Sequence, residues 1–237
     1  MGRGGLARNQ IEGGDFVISE SNRFSRQTEL VPLEPLQSLR ITIVGVGAIG
    51  RQIAIQAAAL GARRVQLVDF DVIEPSNLTT QGFRRSEISA TKVEATRSAM
   101  LEMDPSIEIE TVTDRFRPSL QTGEVIFCCV DKISVREAIW RAVGDICRFW
   151  SDGRMLGESL RILSAADTSG RDYYPTTLFT QAEAEVGRCT AHGTIYVAAI
   201  AAGLMLHQFC RWLRSQPIDR DLSLNLTASE LVAISAI

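Results

Sequence analysis

Gly45-Val46-Gly47-Ala48-Ile49-Gly50 is the stretch on which the reading of this chain turns. The apolar run Ile41-Thr42-Ile43-Val44 before it has the composition of a buried strand, and 49–60 after it has that of a helix. Glycines at a strand-to-helix turn let the backbone bend tightly and approach a phosphate. The first N–H groups of the helix, with its positive dipole end, then attract that phosphate. The next apolar strand, Val65 to Val68, runs into Asp69, at about the spacing of a carboxylate that holds ribose hydroxyls. Alone, the glycine pattern says little. Strand, turn, helix and downstream acid together point to a nucleotide.

The alternation continues outward. Segments 40–46, 64–69, 106–113 and 124–130 read as strands, and those near 49–60, 90–103 and 133–147 as helices. The helix at 90–103 stops where Asp104-Pro105 disfavours continuation. Strands and helices alternating over short connections predict an α/β fold with a doubly wound, mostly parallel sheet. Beyond it, 150–166 reads as a strand or hairpin turning at Ser151-Asp152-Gly153, and 167–188 as a long surface loop. A helix at 194–213, rich in small residues (Ala198, Ala199, Ala201, Ala202, Gly203), and a final strand or hairpin at 222–234 form a C-terminal extension. The glycines of residues 1–20 leave little to bury and predict a flexible tail, so one domain is expected over 21–237.

A chain of 237 residues with 45% hydrophobic content can build one large core. Its 25 basic and 28 acidic residues leave a net charge of −3, which argues against a nucleic-acid-binding surface. The longest apolar run, around 195–206, is too short to span a bilayer, and 1–15 lack the apolar stretch of a signal peptide. A cytoplasmic protein that does not engage membranes is expected. Five cysteines, an odd number without a C-x-x-C pair, fit a reducing compartment and argue against structural zinc.

Taken in order, Arg23-Phe24-Ser25-Arg26-Gln27, the glycine turn, Asp69-Phe70-Asp71, Ser76-Asn77-Leu78 with Gln81, Lys92-Val93-Glu94 and Asp131 resemble the ThiF/MoeB/ubiquitin-activating enzyme family over roughly residues 23–213. The resemblance implies a Rossmann-like adenylation domain that uses ATP and Mg²⁺ to adenylate the C-terminal glycine of a ubiquitin-like protein. It assigns the nucleotide to Gly45, Gly47, Ala48, Gly50, Asp69, Asp71, Asn77, Gln81, Lys92 and Asp131, with Arg23 and Arg26 added from the segment before the core. Asp69 would take the ribose, unless it only caps a nearby turn. Asn77 and Gln81 would bond phosphate or ribose, although Asn77 equally suits a turn. Lys92 would act on the phosphates as a point charge rather than as a solvated lysine.

Asp131 ends an apolar strand where open α/β sheets place their ligands, and the resemblance implies that it holds the metal. It also implies that Arg26 reaches the triphosphate of a neighbouring subunit, hence a homodimer with composite sites. Three departures stand out. Thr79 and Thr80 fill a stretch where the family often carries an arginine, Lys132 stands where asparagine is usual, and Ala48 replaces a common glycine. Lys132 and Arg84 are candidates for the lost charge.

Cys128, Cys129, Cys147 and Cys210 fall in apolar strand or helix patterns and read as core residues. Cys189 differs: Gly187-Arg188-Cys189-Thr190-Ala191-His192-Gly193 precedes a long helix, and both Arg188 and a helix N-terminus favour the thiolate. Cys-Thr also resembles the catalytic motif of ubiquitin-activating enzymes, so a thioester on Cys189 is expected after adenylation. The absence of paired C-x-x-C motifs suggests a compact bacterial-type enzyme without zinc, with a conjugating enzyme as a further partner. The alternatives are a sulfur-carrier-protein adenylyltransferase without an obligatory thioester, a non-catalytic scaffold for a ubiquitin-like protein, and an NAD-dependent oxidoreductase.

Overall fold

Strands apolar on both faces belong in the middle of a sheet, and Ile41 to Val44 and Val125 to Cys128 take that place. The computed structural model describes residues 23–179 and 193–235. After a short helix α1 (Leu33–Ser38) come β1 (Arg40–Val44), α2 (Ala48–Leu60), β2 (Arg64–Val68), α3 (Asn77–Gln81), α4 (Lys92–Met103), β3 (Glu108–Val112), β4 (Val125–Cys128) and α5 (Ile133–Val143). Then follow β5 (Phe149–Leu156), β6 (Ser159–Ala165), α6 (Thr168–Tyr173), α7 (Ile195–Leu213), β7 (Asp219–Asn225) and β8 (Glu230–Ser235). They build an eight-stranded sheet ordered β3-β2-β1-β4-β5-β6-β7-β8. The five strands from β3 to β5 run parallel, while β6, β7 and β8 extend the sheet antiparallel.

The sheet divides the core in two. Ile41, Ile43, Leu67, Phe127 and Phe149 share one apolar cluster with α2 and α7, and Val44, Ile126, Cys128 and Trp150 share the other with α5. Helices α2 and α7 also pack on each other, both burying alanines (Ala54, Ala57 and Ala58; Ala198, Ala201 and Ala202), as the small-residue pattern of 194–213 anticipates. Phe127, Phe149 and Phe209 meet with ring centroids 5.3–6.1 Å apart and tie β4, β5 and α7 together. β1 joins β2 on one side and β4 on the other, so a crevice opens at the carboxyl ends of β1 and β4, where doubly wound sheets bind ligands.

The second half corrects two expectations. Ser151-Asp152-Gly153 is no turn: it lies inside β5, paired with Ser164, Leu163 and Ile162, and the chain turns instead at Gly157 (φ 58°). Gly153 lets α7 lie close on β5, since a Cβ there would stand 2.5 Å from Met205 Sδ and the methionine would have to shift. Residues 167–177 are ordered too, as α6 and a 3₁₀ turn over Tyr174–Thr177, with Asp167 Oδ1 accepting the Gly170 N–H at 2.7 Å to cap α6. The expected closing hairpin is β7–β8. No helix among the described residues is long and apolar enough to cross a membrane.

Candidate functional site

The last paired row of the parallel sheet is Val112, Val68, Val44, Cys128 and Asp152, and the nucleotide-site candidates of the first two strands follow directly from it. Gly45 takes a left-handed conformation (φ 88°) and donates its N–H to Val68 O at 2.9 Å. A Cβ there would lie 2.7 Å from Cys129 O, so the turn is clamped between the ends of β2 and β4. Gly50 lets α2 close on the turn, because its Cβ would meet Gly45 O at 1.8 Å. Gly47 is different in kind. A Cβ there meets, among the described residues, just Gln81 Oε1, at 3.9 Å, so the missing side chain leaves open space at the N-terminus of α2. No described side chain caps that N-terminus, which leaves its first N–H groups and the dipole for a bound anion.

Asp69 holds the turn in place. Its Oδ2 accepts the Val46 N–H at 2.6 Å and its Oδ1 accepts the Asp71 N–H at 2.8 Å. Burial pushes its carboxyl above the ordinary range, against the pull of those two N–H bonds and of the Lys92 charge. The turn-capping alternative therefore describes this conformation. Each oxygen keeps a second lone pair for a ligand hydroxyl. Lys92 opens α4 behind the N-cap Thr91, with Nζ 2.7 Å from Asp71 Oδ2.

Asn77 closes a turn, its Oδ1 accepting the Glu74 N–H at 3.0 Å. Gln81 Oε1, in contrast, is buried without a hydrogen-bond partner among the described residues and is the atom nearest the open side of Gly47. An orphaned acceptor beside an uncapped helix N-terminus and a glycine cradle suits a nucleotide, which brings hydroxyl donors and phosphate together. Asp131 lies past the end of β4, exposed and with no ion pair among the described residues. A lone carboxylate of this kind suits Mg²⁺, which takes one or two carboxylates and fills its shell with phosphate oxygens and water. Among the described residues no group of three or more His, Cys, Asp or Glu side chains gathers to hold a metal by itself.

Other candidates lie elsewhere. Arg23 pairs with the buried Asp104 at 3.0 Å, at the C-terminal end of α4, whereas Lys92 is at its N-terminal end. Arg26 is exposed in a segment anchored at the far end of α2, where Gln27 Nε2 donates to Leu60 O at 3.0 Å. Arg84 is exposed and pairs with Glu102 of α4 at 3.0 Å. Lys132 is exposed beside Asp131. Burial pushes the thiols of Cys128, Cys129, Cys147 and Cys210 up, consistent with core roles. Cys189 and His192 lie outside the described residues.

Sequence reasoning missed a buried charged cluster at the same edge. Asp152 contacts Arg136 through Oδ1 and Arg154 through Oδ2 at 2.9 Å, and Tyr174 donates its hydroxyl to Oδ2 at 2.9 Å. A turn-like tripeptide concealed it; the only signal was two arginines flanking the apolar β4–β5 region. Beside Arg154, a cavity of about 440 Å³ opens over the antiparallel extension, lined by Leu156, Arg161, Phe179 and Val232.

The profile of the ThiF family matches residues 22–231. Ubiquitin-like modifier-activating enzyme 5 of Caenorhabditis briggsae is 25% identical over 167 residues, covering 61% of this chain and 39% of that protein. The Gallus gallus protein of the same name is 25% identical over 177 residues, covering 64% and 45%. The chain thus spans about two fifths of the length of these curated relatives. Among solved structures, PaaA superposes with a TM-score of 0.76 at 17% identity, covering 98% of this chain and 79% of that one. E. coli MccB with MccA-N7isoASN gives 0.75 at 16%, covering 90% and 72%. At such identities these likenesses speak to the fold.

Proposed function

Because the chain belongs to the ThiF family, we propose that it uses ATP to adenylate the C-terminal carboxylate of a polypeptide, most simply a ubiquitin-like protein ending in glycine. The observation that carries this reading is the cradle at Gly47: open space, an uncapped helix N-terminus and the orphaned Gln81 Oε1 converge on one point, with Asp69 and Lys92 alongside. The curated relatives, named as activating enzymes for ubiquitin-like modifiers, supply the substrate class.

In this reaction a carboxylate oxygen attacks the α-phosphorus of ATP, the bond to the bridging oxygen breaks, and pyrophosphate leaves. The attacking group is already ionised near neutral pH, so no strong base is needed. Positioning does most of the work, since holding both reactants in line makes the step effectively unimolecular. Lys92 and the first N–H groups of α2 stabilise the phosphates, and Arg26 of a second copy adds charge at the departing pyrophosphate. Asp131 would hold Mg²⁺, which neutralises phosphate charge when bound. Asp69 and Gln81 orient the nucleoside. The thiolate of Cys189 then attacks the acyl carbon, AMP leaves, and a thioester forms for transfer to a conjugating enzyme.

The test is ATP–pyrophosphate exchange by the purified chain with a glycine-terminated ubiquitin-like protein. Exchange that requires the intact terminal carboxylate supports adenylation. ATP binding without exchange leaves a scaffold. Cys189→Ala is expected to keep exchange and lose the reducible acyl-protein band; a band that persists assigns the acyl group to another cysteine.

A further inference from the structure

Asp152 has no exposed surface, yet it is flanked by two arginines and a tyrosine hydroxyl. Buried charges of this kind are a poor device for stability, because apolar residues of similar volume often serve as well or better. What the cluster adds is direction. Arg136, itself 4% exposed in the first turns of α5, pairs with one carboxylate and donates to two backbone carbonyls. These are the Asp152 carboxylate, Gly153 O at 3.1 Å and Val130 O. Val130 is the residue before Asp131, already past the last paired position of β4, so its carbonyl finds its partner in Arg136. The β4–α5 connection and the first turn of α5 are thereby closed onto Asp152, with Asp131 and Lys132 exposed in the connection.

Resting on the reading of Asp131 as a site carboxylate, we propose that Asp152 is a positioning residue. By fixing the Arg136 fork on the Val130 carbonyl, it sets where the Asp131 side chain stands. Asp152 makes no contact with Asp131, and its other oxygen carries a second load. Arg154, held by Oδ2, donates to Thr177 O at 2.9 Å and to Thr177 Oγ1 at 3.2 Å, which locks the turn after α6 against β5. One carboxylate therefore braces the loop after β4 and the turn after α6 at the same time. A planar fork with several donors is needed for this, and an ammonium group cannot reproduce it.

The experiment uses the full chain with Asp152→Asn, Arg136→Gln and Arg136→Lys, and reads amide hydrogen exchange without ATP alongside pyrophosphate exchange. Amides 135 and 136, which donate to Lys132 O at 3.1 Å, are expected to exchange about 10-fold faster or more in all three, while amides 45–50 stay within about 2-fold of the parent. The kcat of pyrophosphate exchange is expected to fall about 10- to 100-fold with KM for ATP changed less than about 3-fold, because sub-ångström misplacement acts on the reacting geometry. Arg136→Lys separates charge from fork: it retains a cation against Asp152 and should still exchange fast at 135 and 136. Unchanged exchange at 135 and 136 in a folded Asp152→Asn chain overturns the proposal. So does a rise spread evenly over the sheet, which marks a merely structural role. If Asp152→Asn does not fold, Arg136→Lys decides the matter by the same readings. If the parent chain shows no pyrophosphate exchange, the functional reading fails, while the amide measurement still decides whether Asp152 anchors the loop.

Discussion

Lys92 Nζ stands 2.7 Å from Asp71 Oδ2, and the Lys92 N–H donates to Asp71 O at 3.0 Å, so one residue of the β2–α3 connection holds both ends of the lysine. The Lys92 side chain is buried while Asp71 remains nearly half exposed. Removing the amine leaves a carboxylate that water can still solvate, at a cost of about 0–1 kcal/mol. If the charge serves phosphates, its loss should weaken pyrophosphate exchange about 100-fold or more, about 3 kcal/mol of transition-state stabilisation. Lys92→Gln is therefore expected to melt within a few degrees of the parent and to be almost inactive. A large drop in Tm with proportionate loss of activity would make Lys92 a structural residue.

Two glycines of the same turn should behave oppositely. Gly50→Ala places a Cβ 1.8 Å from Gly45 O, a collision with backbone that side-chain motion cannot relieve. Loss of folding is expected. Gly47→Ala meets Gln81 Oε1 no closer than 3.9 Å, so the fold should survive while the methyl group occupies the space needed by a phosphate. An ATP affinity lower by about 10-fold or more, with a cooperative melt, is the expected outcome, checked by calorimetry and circular dichroism. Normal ATP binding by Gly47→Ala would move the phosphates away from this turn.

The parallel half of the molecule was legible because its strands are continuous apolar runs and its first turn has few solutions. Ile41 to Val44 and Val125 to Cys128 are buried on both faces, as their composition requires. The antiparallel extension misled for a physical reason: Ser151-Asp152-Gly153 has turn-like composition, but burial under α7 and α5 overrides local preference. Helices α1, α3 and α6, of five or six residues, are too short to show a period. The cradle residues Gly45, Gly47, Asp69, Gln81 and Lys92 could be named in advance, since each follows a recognisable strand end or opens a helix or belongs to the ordered motif set. Asp152 could not, because its partners Arg136, Arg154 and Tyr174 come from three separate elements.

Asp104 gives a pH prediction with a definite sign. Burial pushes its carboxyl up, but hydrogen bonds from the Ser106 hydroxyl and N–H, with Arg23 and Arg63 nearby, outweigh that and hold it below the usual carboxylate range. The native state then binds fewer protons than the unfolded chain around pH 4. The stabilisation is complete above about pH 4 and is lost as pH falls through the lower native value. Asp104→Asn is expected to be less stable at neutral pH by about 1–3 kcal/mol, through the weakened contacts of a buried group. Its Tm should also fall less steeply than that of the parent below about pH 4, as thermal scans at successive pH values would show. Parallel slopes would mean that Asp104 is not paired in solution.

The segment that carries Arg26 is anchored at the far end of α2 from the nucleotide cradle of its own chain. The neighbouring Gln27 is fastened to Leu60 at the C-terminal end of α2, whereas the cradle lies at the N-terminal end of that helix, about 18 Å away along the axis. An arginine side chain spans less than half that distance, so the proposed contact with phosphates is expected to be made in a second copy. Mixing resolves the point. Arg26→Ala and Asp131→Ala are each expected to be inactive alone. In a mixed dimer with composite sites, one site combines the intact Asp131 of one subunit with the intact Arg26 of the other, and the second site has neither. Random exchange of subunits should therefore restore up to about a quarter of the parent activity, and covalently linked dimers about half. No recovery from a mixture that light scattering shows to be dimeric would place the function of Arg26 in the Arg23–Gln27 segment's own packing instead.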